Sequence, residues 1–246
     1  EFRRVLFRSR RAVADLLSRE TPEVAMPALD GRPVILHLLH YWGGGLDKWV
    51  RDFARADPSA IHLTLATYRI GESGGQRVVL HADPEGRVPI RTWDLARPIR
   101  STAAGSLEYR RVLEQVTDQF AVDRIVVSSL IGHALDALAT PLPTVIVLHD
   151  FHPVCRAVNP RFEGTCTRCT RDDLARCIES NPLNRIFEVP GADDWHRMRT
   201  RFTDLVLERA IPIVVPSEWM VGTLRALDPR LASASIRVIG HGIDFR

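Results

Sequence analysis

The stretch PVILHLLHYWGGGLDKWVRDF, residues 33–53, decides the fold of this chain. Val34 to Leu39 is a nearly continuous apolar run, which is typical of a strand buried on both faces. The glycines at 43–45 follow, where the backbone can turn sharply and a ligand can approach closely. Apolar residues then recur at helical spacing from Leu46 to Ala54. Strand, glycine loop and helix begin a βαβ unit whose helix N-terminus favours anions; the alternative is a tight turn without a ligand.

Beyond this unit, strand-like and helical patterns alternate along the chain. Strands are predicted at residues 61–67, 77–81, 87–93, 124–127, 143–148, 211–215 and 236–239, and helices at 107–120, 132–138, 195–206 and 217–227. Such alternation predicts an α/β fold with a Rossmann-like, doubly wound, mostly parallel sheet. In these sheets, ligands bind beyond the carboxyl ends of the strands. A long polar segment at residues 151–194 interrupts the alternation and carries all four cysteines.

The first ten residues do not resemble natural protein sequence. Glu1-Phe2 is what a GAATTC restriction site encodes, and Val5 to Ser9 matches a common sequencing-adapter string. We therefore exclude residues 1–10 as a scar and treat residues 11–32 as an N-terminal extension. Without the scar, 29 basic and 29 acidic residues remain of the 33 and 30 in the whole chain. The net charge falls from +3 to 0 and gives no argument for nucleic acid as a partner.

The composition is that of an ordinary globular protein, with 45% hydrophobic and 26% charged residues. No apolar run approaches the ~18 residues of a membrane span. Cysteines gathered in one region do not resemble the dispersed disulfide framework of small secreted domains. We therefore expect a cytoplasmic protein, with the periphery of the inner membrane as an alternative location.

Five motifs stand at predicted strand ends in one order. They are HYWGGG at 40–45, SSLIGH at 128–133, LHDF at 148–151, PSEW at 216–219 and HGID at 241–244. Together they resemble the N-terminal, acceptor-side domain of retaining GT-B glycosyltransferases, the GT4-like type of bacterial glycosyltransferase family 1. The resemblance covers residues 33–244, with the cysteine-rich insertion at 151–194 resembling a bacterial subgroup. It ends where the family's C-terminal donor domain would begin, so that domain is expected to be absent here.

The resemblance implies an activity and a set of site residues. A nucleotide-sugar donor would pass a hexosyl group, with retained configuration, to a sugar or lipid-linked glycan acceptor in polysaccharide or glycoconjugate synthesis. The chemistry would need no cofactor, and the fragment alone would be inactive. The implied diphosphate-binding residues are Gly43, Gly44 and Gly45, the catalytic residues His149 and Asp150, and the cleft residues His40, His133, Ser217, Glu218, His241 and Gly242. One departure concerns the first helix, where the family commonly has a histidine and this chain has Lys48 and Trp49.

Several of these residues have plain structural alternatives. His149 could bond a buried carbonyl at a strand end, and Asp150 could be a turn or N-cap residue. Ser217 has the position of a helix cap. Of the two histidines in the first strand, His37 is expected to be structural, whereas His40 lies beside the glycine loop.

Two other functions fit parts of the sequence. A metal-dependent hydrolase could use the closely spaced group His149, Asp150, His152 and Cys155, although a catalytic zinc site usually has three protein ligands and an open position. A non-catalytic nucleotide-binding Rossmann module could use the glycine loop. That loop lacks the spaced G-x-G-x-x-G of dinucleotide-binding domains, and no acidic residue clearly ends the second strand.

The four cysteines have the spacing C-x10-C-x2-C-x7-C, at Cys155, Cys166, Cys169 and Cys177. The central C-x2-C can chelate one ion from a single turn, and the flanking pair would complete a four-sulfur shell. We therefore predict a structural Zn²⁺ that shapes a lid over His149. Free thiols or one or two disulfides are the alternatives, and a histidine could replace one cysteine as ligand.

Overall fold

A computed structural model describes residues 30–40, 42, 44–70, 73–84, 86, 88–187 and 191–242 of the chain. Within these residues the strands are β1 Val34–His40, β2 Ile61–Ile70, β3 Ser73–His81, β4 Pro89–Asp94, β5 Thr102–Ala103, β6 Arg124–Val127, β7 His133–Ala134, β8 Thr144–Val147, β9 Ile213–Val215 and β10 Ile236–Val238. The α-helices are α1 Gly45–Ala56, α2 Leu107–Gln119, α3 Arg171–Ser180, α4 Ala192–Glu208 and α5 Glu218–Leu227. The predicted scar, residues 11–29 of the predicted extension, Gly43 and the motif positions 41, 243 and 244 lie outside the described residues.

Eight of these strands form one sheet, in the order β10-β9-β8-β6-β1-β2-β3-β4. From β10 to β2, each of these six strands is parallel to the next one in the sheet. By contrast, β3 runs antiparallel to β2 and β4. The predicted α/β class and mostly parallel sheet are therefore confirmed, and the architecture is compatible with a Rossmann-like fold.

The first strand lies inside the sheet, and both of its faces are covered. All seven residues of β1 are buried. Leu36 and Leu38 pack into the main core, whereas Ile35 packs with Val126 and Val147 in a separate cluster. This two-sided burial explains the continuous apolar run. Because β1 pairs with β2 on one side and β6 on the other, the switch point of the sheet lies between the carboxyl ends of β1 and β6.

His37 interrupts the apolar run of β1, and its side chain is completely buried. The Nε2 atom of His37 lies 2.9 Å from Nδ1 of His62, and Nε2 of His62 lies 2.9 Å from the carbonyl oxygen of Asp57. These hydrogen bonds offset part of the cost of burying the ring. Burial lowers the pKa of His37 to about 3, with a smaller effect from the charge on His62. His37 is thus a neutral structural residue.

The longer helices begin and pack as the apolar spacing predicts. Ser106 caps α2 by accepting the N–H of Tyr109, and Ser217 caps α5 by accepting the N–H of Met220. The buried face of α2 contains Tyr109, Val112, Leu113 and Val116, and that of α4 contains Trp195, Met198, Phe202, Leu205 and Val206. None of the helices within the described part of the chain combines the length and apolar character that crossing a bilayer requires.

The prediction of a helix at residues 132–138 is wrong in its first half. His133–Ala134 is instead strand β7, which pairs in parallel with β5. Only Leu135–Leu138 is helical, as a short 3-10 turn. The pairing explains the difference, because β5 lies about thirty residues away in the chain and contributes only two residues, which no local pattern reveals.

The segment at residues 151–194 is not a loop throughout. It contains α3 and a 3-10 helix at Pro182–Ile186, and α4 begins within it. A capping box between Thr170 and Asp173 starts α3. Leu174 is the buried residue of α3. The helix therefore lacks the regularly spaced apolar residues from which a helix is predicted.

Candidate functional site

Three segments of the chain meet at the carboxyl edge of the sheet. His149 follows β8, His241 follows β10, and Trp49 lies in the second turn of α1. The rings of His149 and His241 stack with their centroids 4.7 Å apart and 21° between their planes. Trp49 meets the ring of His149 edge-on at 5.2 Å and the ring of His241 at 6.1 Å. We call these three side chains the ring cluster.

Both histidines of the ring cluster are neutral at pH 7. Burial lowers the pKa of His149 to about 4, and the charges of His241 and His40 contribute to this lowering. Burial also lowers the pKa of His241. The Nε2 atom of each ring is enclosed and has no hydrogen-bond partner among the described residues. As neutral rings, the two histidines can interact with a ligand through hydrogen bonds, although not through a charge.

The glycine loop leads directly into α1 and leaves the N-terminus of that helix open. Gly44 is the N-cap, with φ at +95°, and no side chain among the described residues caps the helix. A Cβ atom added at Gly44 or Gly45 would meet nothing within 4 Å. The first N–H groups of a helix have no acceptor inside the helix, so an anion can approach them here. Asp47 in the first turn acts against an anion, and burial raises its pKa.

His40 stands at the end of β1, beneath an exposed tryptophan. Its Nδ1 atom accepts the backbone N–H of Trp42 at 3.2 Å, which leaves the ring proton on Nε2. The two rings are 4.7 Å apart, and Trp42 remains 55% exposed while it approaches Phe187 at 6.2 Å. Burial lowers the pKa of His40 to about 4. Charge on His40 would also lower the pKa of His149 and His152, so this ring lies near both.

Asp150 is a largely enclosed carboxyl beside the ring cluster. Its Oδ1 atom accepts the backbone N–H of His152 at 2.7 Å. Burial raises the pKa of Asp150 to about 6, against the smaller opposing effect of that hydrogen bond. Asp150, His149 and Ser128 line a cavity of about 10 Å³, and the Ser128 hydroxyl has no partner among the described residues. Asp150 can therefore gain or lose a proton close to neutral pH.

The structure places His133, a predicted cleft residue, in the core. The ring is completely buried, with Nε2 3.0 Å from the carbonyl oxygen of Leu39 and Nδ1 2.6 Å from the hydroxyl of Tyr109. With both nitrogens engaged, the ring has no atom for a ligand. The ring connects the end of β1 to α2 and so helps to hold β1, which leads into the candidate site.

His133 should make the protein sensitive to acid. Burial lowers its pKa from 6.5 to about 4, so the unfolded chain takes up a proton at higher pH than the folded one. The stabilisation is complete above pH 6.5 and is lost as the pH falls towards 4; this difference is worth ~3 kcal/mol in unfolding free energy. An NMR titration of the imidazole should show no inflection above about pH 5. An inflection near pH 6.5 in the folded protein, the ordinary value of a histidine, would contradict this prediction.

The remaining predicted cleft residues lie at the ends of α5 and β10. The hydroxyl of Ser217 is used as the cap of α5, which is its structural alternative. Glu218 is in the first turn of that helix, and Gly242 is exposed directly after His241. None of the described contacts joins Ser217 or Glu218 to the ring cluster.

Sequence reasoning missed the aromatic side chains of this site. In the comparison with the family motifs, Trp49 stands out only because a histidine is common in this helix. In the structure, Trp49 contacts both histidines of the ring cluster. The available signal is its spacing, because Trp49 and Phe53 are four residues apart and stack at 5.4 Å on one face of α1. Phe187 gives no signal, since it reaches Trp42 from a segment 145 positions away in the chain.

The group proposed for a metal-dependent hydrolase is not assembled as a ligand set. Among the residues that the structure describes, no three His, Cys, Asp or Glu side chains stand in a metal-holding group. Asp150 accepts a backbone N–H from His152, and the ring of His152 packs against Phe187 and Trp195. Burial lowers the pKa of His152 to about 3, as expected of a packed core ring.

Scans of the chain against protein-family models, curated proteins and solved structures find no match. The interpretation of the site therefore depends on its geometry and on the motifs in the sequence. A function assigned to this chain must explain an open helix N-terminus, the ring cluster and an enclosed carboxyl at one edge of the sheet.

Proposed function

We propose that this chain is the acceptor-side domain of a nucleotide-sugar-dependent, retaining glycosyltransferase. One observation carries the proposal: the open N-terminus of α1 and the ring cluster lie at the same carboxyl edge, joined by Trp49. A nucleotide sugar carries an anionic diphosphate next to a polar sugar ring. Backbone N–H groups at a helix N-terminus can bind the diphosphate. Neutral histidine nitrogens can form hydrogen bonds with the hydroxyl groups of the sugar.

In this mechanism, the protein acts mainly by stabilising charge. As the bond between the anomeric carbon and the diphosphate breaks, negative charge grows on the diphosphate oxygens. The N–H groups of Gly44 and Gly45 and the dipole of α1 stabilise that charge. The departing diphosphate takes the proton of the acceptor hydroxyl, and the acceptor oxygen bonds to the anomeric carbon on the same face. The step requires no metal or other cofactor.

The two proposed catalytic residues have different tasks. His149 is neutral, so its ring holds the donor sugar by a hydrogen bond and not by a charge. Asp150, with a pKa of about 6, can hold a proton beside the reacting groups. The acceptor would be a sugar or a lipid-linked glycan, and the location would be the cytoplasm, where donors of this class are available. Donor binding would be completed by a second, C-terminal domain.

Replacement of the proposed ligand-binding histidine should abolish turnover without unfolding the protein. We expect His149→Ala in the complete gene product to reduce release of nucleoside diphosphate from UDP-glucose or GDP-mannose by ~10²-fold or more, as for the loss of a transition-state hydrogen bond. The unfolding midpoint should change little, because the ring is only half-buried.

His196→Ala is the matched control, since this ring lines a different cavity beside Asp228. It should keep full activity. A folded His149→Ala protein with unchanged turnover would contradict the proposed role. Binding of both nucleotide sugars without any turnover would indicate the non-catalytic nucleotide-binding module instead.

A further inference from the structure

The four cysteines lie in one region of the molecule although they belong to different local structures. Cys155 lies in the turn after β8, Cys166 and Cys169 precede α3, and Cys177 is on α3. None is in a disulfide, and all are partly buried. The sulfur of Cys155 interacts electrostatically with the other three, and that of Cys166 interacts with Cys177 and Cys169. The four thiols therefore share one region of the molecule.

Two side-chain amides donate to the sulfur of Cys177, and a guanidinium interacts with it. The Nδ2 atoms of Asn181 and Asn184 donate to its Sγ atom at 3.3 Å and 3.1 Å. The guanidinium of Arg156, only 1% exposed, also interacts with Cys177 through its charge. Thiolate is the form of cysteine that binds metals.

Backbone groups are directed at two of the other sulfurs. The N–H of Ala157 forms a hydrogen bond with Cys155, and the N–H of Phe162 forms one with Cys166. Such donors orient a ligating group in metal sites. The same chemistry thus surrounds thiols that come from separate turns.

The segment that carries the cysteines has almost no apolar core of its own. Across residues 158–184, all of which the structure describes, Pro160 and Leu174 are the buried apolar residues. Polar contacts hold the segment: the N–H of Cys166 donates to the carbonyl of Pro160 at 2.9 Å, and buried Arg199 donates to the carbonyl of Cys169 at 2.8 Å. A segment this long and polar is usually held by an additional tie.

We propose that Cys155, Cys166, Cys169 and Cys177 bind one structural Zn²⁺ as a tetrathiolate site. Four soft sulfur ligands select zinc or iron among the common metals, and full ligation replaces the four thiol protons with one metal ion. The charge of Arg156 offsets part of the negative charge of such a site. Among the described residues the sulfurs do not yet stand in a metal-holding group, so binding draws them together.

The metal would hold one wall of the candidate site. The cysteine-bearing segment ends at Phe187, which packs against Trp42, His152 and Trp195. Arg156 donates to the carbonyl oxygen of Phe187 at 3.3 Å and so connects this wall to the thiols. The metal's role is structural, and the site stands whether or not the proposed glycosyl transfer is correct.

The test is the metal content of protein purified without a chelator from zinc-supplemented medium. We expect close to one zinc per chain and thiols that react with Ellman's reagent only after chelation. Cys166→Ser and Cys169→Ser should each reduce the zinc content about tenfold or more, because zinc sites of this kind require all of their thiolates. Thr167→Ser, a change between these two cysteines, is the matched control and should keep the metal.

A second measurement does not depend on the variants folding. Cobalt added to chelator-treated wild-type protein should give the visible absorption of a tetrahedral thiolate site, and zinc should displace it. Metal-free protein with four reactive thiols, two disulfides detected by mass, or iron in place of zinc would each overturn the proposal. These readouts are independent of nucleotide-sugar turnover, so failure here is distinguishable from failure of the proposed function.

Discussion

Gly132→Ala is expected to destabilise the protein by ~3 kcal/mol or more. Gly132 has φ at +78°, and a Cβ atom there would lie 2.5 Å from Oγ1 and 2.9 Å from Cβ of Thr67. Thr67 cannot move aside easily, because it is buried and its hydroxyl donates to the carbonyl of Ile131 at 3.0 Å. The left-handed backbone alone disfavours alanine by ~1–2 kcal/mol, and the clash adds to that cost.

Chemical denaturation of wild-type and variant protein measures this effect. Gly222→Ala is the control, because Gly222 is an exposed position in α5 where an added Cβ meets nothing within 4 Å. The control should gain ~0.5–1 kcal/mol, as alanine is the better helix former. A Gly132→Ala protein within ~1 kcal/mol of the wild type, which is the size of an ordinary mutation, would show that the turn at Gly132 is not held as described.

Gly45→Ala is expected to weaken diphosphate binding by about tenfold or more, which is ~1.4 kcal/mol, without destabilising the fold. Gly45 is the first residue of α1, and an added methyl group would find open space there. The fold therefore tolerates alanine, whereas a diphosphate in contact with the helix N–H groups would meet the methyl group. Gly44→Val should reduce activity as well, but φ at +95° makes it a strained variant that disturbs the loop itself.

Isothermal titration with UDP and with inorganic pyrophosphate measures the effect of Gly45→Ala. Gly222→Ala is again the control, because it makes the same chemical change on another helix. It should bind as the wild type does. Equal affinity of the Gly45→Ala and wild-type proteins for UDP would remove the glycine loop from the proposed site.

The parts of the fold that local patterns encode are predictable from the sequence. β6 has the predicted bounds, and β1 and α2 lie within about one residue of theirs. Each of these elements buries a continuous run or a regular face of apolar side chains, which is the signal that sequence patterns carry. By contrast, α3 depends on the capping box at Thr170, and β5 and β7 depend on pairing between distant residues.

The candidate site is predictable in position but not in detail. The carboxyl-edge rule selects His149, and the structure adds that His241 stacks on it. The same rule selects His133, which comes soon after β6. The left-handed turn at Gly132 precedes that residue, whose ring lies in the core. Side-chain direction after a strand depends on such tertiary contacts, so sequence position alone does not separate the two histidines.

The most direct test of the central claim is an ¹⁵N–¹H NMR titration of this chain with UDP. We expect the backbone N–H signals of Gly45 and Leu46 to shift together along one saturable curve, and UDP-glucose to shift the imidazole signals of His149 and His241 as well. Inorganic pyrophosphate should reproduce the shifts at the helix N-terminus, whereas uridine alone should not. Shifts confined to other surfaces, or none at millimolar UDP, would contradict the assignment of this edge of the sheet as a diphosphate site.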